Sequence, residues 1–160
     1  MIKATVTGIP DLKAALAEVS AQLRRRVLRN ALAAAARVVR DDARSRTPVI
    51  SAAAAPVRKG YRTPGTVKRA IVVRTSKQAR REGNVGVFVN VRPAKTGARG
   101  ARNKNDPFYW RFIEFGTRYL GARRFLQRAA DKLPQALQVF IGQVGPQIAK
   151  LNRKGGKGGL

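Results

Sequence analysis

The chain has 160 residues, the length of one domain, and its 34 Lys and Arg against 8 Asp and Glu give a net charge of +26 at pH 7. Hydrophobic residues make up 44%, which is enough for a core and argues against a wholly disordered basic chain. The sequence has neither His nor Cys. It therefore excludes a zinc finger, a Cys–His or Ser–His–Asp catalytic centre and a disulfide framework.

The small number of acidic residues nearly excludes catalysis by paired carboxylates. Only Asp41 and Asp42 are adjacent in the sequence, and neighbouring residues on a helix do not face each other. No apolar run approaches the roughly 18 residues that span a bilayer, and residues 1–6 lack the apolar stretch of a signal peptide. We therefore expect a protein with no enzymatic activity, no cofactor, no metal and no membrane partner.

The N-terminal part of the chain predicts a strand followed by a long helix. Residues 2–6 alternate in the manner of a strand, and Asp11 fits the N-cap of a helix over about residues 11–46 that ends at Thr47-Pro48. One apolar stripe supports that helix: Leu12, Leu16, Val19, Leu23, Val27, Ala31, Ala34 and Val38. Four arginines in its middle have two interpretations, a solvated helix face or a contact to phosphate or an acidic neighbour: Arg24, Arg25, Arg26 and Arg29.

Two alternating segments in the middle of the chain predict an antiparallel hairpin. Residues 67–75 and 85–91 are the predicted strands, and a polar turn over residues 77–84 joins them. Basic loops without apolar periodicity lie on either side, at about residues 48–66 and 92–107. Loops of this length are usually functional or disordered, so we expect flexible segments that contact a partner or DNA through six cations: Arg58, Lys59, Arg62, Arg99, Arg102 and Lys104.

The C-terminal part predicts two more helices. Residues 108–115 favour a short helix closed by Gly116 in a left-handed conformation, a strand being the alternative. A final helix over about residues 122–151 contains Pro134, which predicts a kink, and Gly145-Pro146, a candidate break. Its apolar stripe consists of Phe125, Ala129, Leu133, Leu137, Phe140 and Val144.

Together these elements predict one α+β domain over residues 1–152. A small antiparallel sheet packs against one long N-terminal helix and a C-terminal helix. Residues 153–160 form a flexible Gly/Lys tail.

The aromatic segment contains two features with more than one interpretation, its phenylalanines and Glu114. Phe108, Phe112 and Phe115 either stack on nucleic-acid bases beside nearby arginines or anchor the core of a small domain, and we favour the core. Glu114 is a lone acid among apolar neighbours. Because a buried carboxylate needs a partner, we expect it to form an ion pair or to cap backbone amides rather than to act in catalysis.

The segment Tyr109-Trp110-Arg111-Phe112-Ile113-Glu114-Phe115-Gly116-Thr117 resembles a signature of the tail-component family of long-tailed bacteriophages, also called head–tail joining, neck or tail-completion proteins. That signature is aromatic-x-x-aromatic/aliphatic-aliphatic-Glu-aromatic-Gly-Thr. Residues 122–129 resemble the family's next signature, Pro-Phe-Leu-x-x-Ala, with Arg124 where Pro is common. Residues 43–48 and 65–71 resemble its helix end and strand entry. The resemblance covers most of residues 1–140 and marks as structural signature Tyr109, Phe112, Glu114, Phe115, Gly116, Thr117 and Phe125.

The resemblance implies a non-enzymatic structural protein of the virion at the head–tail junction or upper tail, assembled in the bacterial host cytoplasm. It would form a homo-oligomeric ring, a hexamer by the tail's sixfold symmetry, around the DNA channel. Other neck, connector and tail-tube proteins would be its partners, and any contact with genomic DNA would be non-specific and salt-sensitive. Composition alone favours an alternative, a stand-alone basic nucleic-acid-binding protein of the nucleoid or ribosome, but the sequence has no recognised nucleic-acid-binding motif.

Overall fold

The computed structural model describes residues 21–49 and 63–155. Over this part the fold is α+β, as predicted, with two strands that pair antiparallel. The predicted strand at residues 2–6 and the start of the long helix lie outside the described residues. In chain order the elements are α1 (Ala21–Arg46), α2 (Thr66–Ala70), β1 (Ile71–Thr75), α3 (Lys77–Arg81), β2 (Val87–Val91), a 3-10 turn (Gly100–Arg102), α4 (Trp110–Phe115), α5 (Phe125–Ala129), a 3-10 turn (Ala130–Lys132) and α6 (Leu133–Gly155).

The chain divides into two compact units. The first unit comprises residues 1–37, 75–88 and 134–160. Its core contains two pairs of residues, each pair spaced by one helical turn: Val27 and Ala31 on α1, and Val144 and Ile148 on α6, with Phe140 packed against them. This spacing lets each helix bury one apolar stripe. The expectation of a single domain over residues 1–152 stays a prediction.

The second unit comprises residues 38–74 and 89–133. Its core residues are Ala43, Val67, Ile71, Val91, Phe125 and Ala129. The end of α1 is tied to this core, because Nε and Nη2 of Arg44 donate to the carbonyl oxygen of Ile71 at 3.1 and 2.8 Å. The Thr47 hydroxyl donates to the carbonyl oxygen of Ala43 at 2.7 Å, and Pro48 follows where the helix can no longer continue.

The predicted hairpin differs from the structure in three places. The first half of the expected strand at residues 67–75 is helix α2, the expected polar turn contains helix α3, and the second strand begins at Val87 rather than residue 85. Val67 and Ile71 are both buried. A spacing of four residues suits one face of a strand and one face of a helix equally, so periodicity could not distinguish them. Gly65 starts the helix at this point. It has a left-handed backbone, and its carbonyl oxygen accepts the first helical hydrogen bond from the N–H of Arg69 at 2.9 Å.

The predicted C-terminal helix is divided in the structure. Its first part is α5, and α6 follows after a 3-10 turn. Pro134 lies in the first turn of α6, where its missing N–H has no helical partner to lose. The candidate break at Gly145-Pro146 is wrong, because α6 continues through Pro146 to Gly155. Leu133, expected on the buried stripe, is exposed.

Beyond Gly155, the predicted tail lies outside the described residues. Within the described ranges, no helix combines the length and the apolar character that a membrane span requires.

Candidate functional site

Glu114 joins α4 to the start of α5 in the second unit. Its side chain is 3% exposed, and its two carboxylate oxygens accept from two successive backbone N–H groups: Oε2 from Leu126 and Oε1 from Gln127, each at 2.9 Å. These N–H groups belong to the first turn of α5, where no helical carbonyl is available to them. Of the two roles that the sequence leaves open, the geometry therefore shows the backbone-amide cap.

Gly116 makes the turn after α4 possible. Its φ is 81° and its ψ is 177°, so φ is positive as expected while ψ is extended rather than left-handed helical. A Cβ at this position would lie 2.8 Å from the backbone nitrogen of Ala122 and 2.8 Å from the carbonyl oxygen of Leu120. Such distances leave no room for a side chain, so the close approach of the two backbone segments requires glycine.

Thr117 closes the turn that Gly116 opens. Its backbone N–H donates to the carbonyl oxygen of Leu120 at 2.8 Å, and its Oγ1 accepts from the N–H groups of Tyr119 and Leu120 at 3.3 and 3.1 Å. The backbone and the side chain of Thr117 together provide hydrogen-bond partners for three backbone groups of the turn: the carbonyl oxygen of Leu120 and the N–H groups of Tyr119 and Leu120.

Arg124 marks the one place where the chain departs from the expected signature in this segment. It has a left-handed backbone, with φ of 50° and ψ of 40°, and it precedes the first residue of α5. Proline holds φ near −65°, so the proline that is common at this position could not adopt the observed conformation.

The hydrophobic residues in and just before α4 do not share one environment. Tyr109, Trp110 and Ile113 pack against the core of the second unit. Phe112 is 51% exposed and Phe115 is 72% exposed, so the expectation that these two side chains anchor the core is wrong. Helix α4 has only six residues, and residues three or four apart lie on the same face. Positions 110, 113 and 114 therefore face the core, and positions 112 and 115 lie on the opposite face.

Two further hydrophobic side chains are exposed in the turn after α4. Tyr119 is 91% exposed, and Leu120 is exposed as well. The guanidinium of Arg118 lies 5.9 Å from the centre of the Tyr119 ring, within the range of a cation–π contact. We call the set Phe112, Phe115, Tyr119 and Leu120 the aromatic face.

The six loop cations predicted as contacts fall into two groups. Arg58, Lys59 and Arg62 lie outside the described residues. Arg99, Arg102 and Lys104 are exposed on the loop between β2 and α4, and this geometry leaves their role in contact a prediction.

The loop between β2 and α4 is held by its own polar side chains. The buried Asp106 accepts from the N–H of Phe108 at 2.8 Å and from the N–H of Ala94 at 3.4 Å. Asn103 Nδ2 donates to the carbonyl oxygen of Thr96 at 2.9 Å. These bonds fix the two ends of the loop to each other.

A second site, which the sequence revealed only in part, lies in the first unit. Helix α1 and the segment from Thr75 to Val85 enclose a cleft of about 470 Å³. We call it the basic cleft; its lining residues are Arg25, Arg26, Arg29, Thr75, Ser76, Lys77, Arg80, Asn84 and Val85. The sequence indicates the three α1 arginines, for which a contact to phosphate or an acidic neighbour is one of two interpretations. It gives no signal for Lys77 and Arg80, because the polar residues 77–84 predict a turn rather than a helix.

No group of His, Cys, Asp or Glu side chains that could hold a metal ion occurs among the residues that the structure describes. What the arrangement offers is contact: an exposed aromatic face in one unit and a cluster of cations in the other. Surfaces of these two kinds are typical of proteins that bind macromolecules.

The family model described as "Bacteriophage HK97-gp10, putative tail-component" matches residues 11–116, more than half of the chain. The chain therefore belongs to this family of phage tail components, and it is a structural protein of the virion. The match includes Glu114 and Gly116 and ends before Thr117. Neither the curated proteins nor the solved structures contain a match to the chain.

Proposed function

We propose that the protein is a tail-completion protein, which assembles as a ring around the DNA channel at the head–tail interface. In this role it acts by assembly, without catalysis: copies bind one another and the ring docks on connector and tail-tube proteins. The observation that carries the proposal is the exposure of Phe115 inside a segment whose other residues are committed to the fold.

Three of the four residues in Glu-Phe-Gly-Thr have an explanation within the chain. Glu114 caps α5, Gly116 allows two backbone segments to meet, and Thr117 closes the turn. Phe115 makes no such contribution, since its side chain is 72% exposed. An aromatic side chain held in water by a rigid turn is typical of an interface rather than of a fold.

The occupant that we propose for the aromatic face is a neighbouring copy of the chain. A ring requires a heterologous contact, in which this face of one copy meets a different surface of the next. Burial of a Phe or Leu side chain contributes about 1.5–3 kcal/mol, so several such side chains supply a substantial part of the association energy. Exposed arginines beside the face, Arg111 and Arg118, keep the unassembled subunit hydrated.

The test compares the oligomeric state of the wild-type protein with that of two matched variants. Sedimentation velocity and negative-stain microscopy measure assembly for wild type, Phe115→Ser and Phe88→Ser. Phe88 is also exposed, at 42%, but it lies on β2 away from the Glu-Phe-Gly-Thr segment in sequence. We expect rings for wild type and Phe88→Ser, and subunits for Phe115→Ser with an unchanged circular dichroism spectrum.

A wild-type protein that stays monomeric at high concentration would contradict ring assembly. The position in the virion is tested separately, by deleting the gene from the phage and supplying each variant in trans. We expect the deletion to yield separate filled heads and tails, and Phe88→Ser, but not Phe115→Ser, to restore joined particles. Joined particles without any copy of the protein would overturn the proposed place at the interface.

A further inference from the structure

We propose that the basic cleft binds the phosphate backbone of double-stranded DNA, without regard to base sequence. The choice of DNA as the polyanion rests on the proposed function, which places the protein beside the genome's path. All residues that line the cleft belong to the first unit.

Cations line the cleft from two directions. Arg25 and Arg29 are four residues apart on α1, which separates their backbone positions by about 6 Å along the helix. Lys77 and Arg80 stand three residues apart on α3, on the other wall. Two rows of cations with a cleft between them suit a linear polyanion, which can lie along both rows at once.

These charges are not neutralised within the described part of the protein. The ion pairs found there join Arg40 to Asp41 and Arg46 to Asp42, both in the second unit. Glu82 is the one acidic side chain in residues 23–37, 75–88 and 134–150. Its Oε1 accepts from Nε2 of Gln78 at 3.1 Å, and it does not line the cleft. The clustered guanidinium and ammonium groups give the cleft a positive potential that attracts anions.

The wall that carries Lys77 and Arg80 is fixed by local hydrogen bonds. Ser76 caps α3, with Oγ accepting from the N–H of Ala79 at 3.2 Å, and its backbone N–H donates to Gly86 at 2.8 Å. The N–H of Asn84 donates to Ala79 at 2.7 Å. A Cβ on Gly86 would lie 3.0 Å from the Cβ of Ala79, so helix and turn are closely packed. The backbone that carries these two cations therefore needs little ordering when a ligand binds.

The lining favours phosphate over an acidic protein surface. Five of the nine lining residues are arginine or lysine, whereas the core of an interface between proteins is depleted of charged residues. The remaining polar residues, Thr75, Ser76 and Asn84, are of the types that donate to phosphate oxygens in complexes with DNA. Binding of a DNA backbone without regard to sequence requires no base contacts, because arginine and lysine supply the affinity through the phosphates.

The experiment measures binding of the full chain to a fluorescent 30-base-pair duplex of random sequence by anisotropy, over a series of NaCl concentrations. The cleft variant combines Arg25→Gln, Arg29→Gln, Lys77→Gln and Arg80→Gln. The matched control removes the same number of charges from exposed positions of the second unit, through Lys68→Gln, Lys95→Gln, Arg123→Gln and Arg128→Gln. Because the two variants have the same net charge, a difference in their affinities reports a local contact and not the general attraction between the protein and DNA.

We expect the cleft variant to bind about tenfold more weakly or worse at 0.1 M NaCl, and its slope of log K against log salt to be shallower by about 3–4. The control should retain most of the affinity and the slope. Equal losses in both variants, or a loss in the control alone, would overturn the inference. It would also be overturned if the cleft variant kept its affinity for DNA and lost only its affinity for polyglutamate, since the cleft would then serve an acidic protein partner.

A measurement on the wild-type protein covers the case in which the cleft variant does not fold. Phenylglyoxal modifies accessible arginines, and mass spectrometry of peptides reports the rate at each site with and without duplex. We expect DNA to slow the modification of Arg25, Arg29 and Arg80 severalfold relative to Arg123 and Arg128, which are exposed in the second unit. Identical rates at the cleft would overturn the inference, and rings that still form would show that the failure concerns the cleft and not the assembly.

Discussion

A carboxylate has two oxygens that both accept hydrogen bonds, and Glu114 uses each of them on a different backbone N–H of α5. Glutamine has nearly the same shape but only one accepting oxygen, and its amide nitrogen would face an N–H group. We therefore expect Glu114→Gln to lower the free energy of unfolding by about 1–3 kcal/mol, the cost of an unsatisfied buried group. In thermal melts this corresponds to a fall in Tm of roughly 2–4 °C per kcal/mol.

The matched control for this substitution is Glu82→Gln. Glu82 is exposed and accepts from Gln78, and glutamine can still accept that bond, so we expect a change within about 0.5 kcal/mol. Equal melting temperatures for Glu114→Gln and wild type would show that the cap contributes little to stability.

Among the elements, the long helix α1 and the short helix α4 were predictable, whereas the short helices α2 and α3 were not. Helix α1 has a sustained apolar stripe and ends at Thr47-Pro48, as the periodicity and the proline indicate. The residues of α2 carry a spacing that fits strand and helix alike, and α3 has no buried residue at all. Both short helices depend on local caps, at Gly65 and Ser76. Hydrophobic periodicity contains no information about such caps.

Helix α6 tests how packing overrides local preference. Pro146 lies within it, between the buried residues Val144 and Ile148 of the first unit's core. Proline removes one helical hydrogen bond and crowds the preceding turn, at a cost of about 3 kcal/mol in a helix interior. Burial of the two flanking side chains opposes this cost, which explains why the predicted break does not occur.

Because Pro146 is exposed, its replacement should not disturb the core. We expect Pro146→Ala to raise the free energy of unfolding by about 1–2 kcal/mol, less than the full cost of proline because alanine also frees the unfolded chain. Urea denaturation followed by circular dichroism measures the change. Gln143→Ala, another exposed position on α6, serves as the control and should alter stability by less than 0.5 kcal/mol. Destabilisation by Pro146→Ala would mean that the helix is built around the proline.

At the scale of the whole molecule, the two candidate sites differ in how far the sequence could predict them. The Glu-Phe-Gly-Thr segment is contiguous, so its residues could be found from the sequence, although which ring faces outward could not. The basic cleft joins Arg25 and Arg29 to Lys77 and Arg80, about fifty residues later. In a chain with 34 basic residues, no local pattern distinguishes those that meet in the fold from those that do not.

The net charge of +26 also has a consequence for the isolated protein, because like charges repel one another in the compact state. Added salt screens this repulsion, and the Debye length falls from about 30 Å at 0.01 M to about 8 Å at 0.15 M. We therefore expect Tm, measured without DNA, to rise by roughly 2–8 °C as NaCl increases over this range, and to level off above it. The cleft variant, with four fewer positive charges, should show a smaller rise. A Tm that is constant or falls with salt would mean that the cations are neutralised within the protein itself. The attraction of an external polyanion to the basic cleft would then have no physical basis.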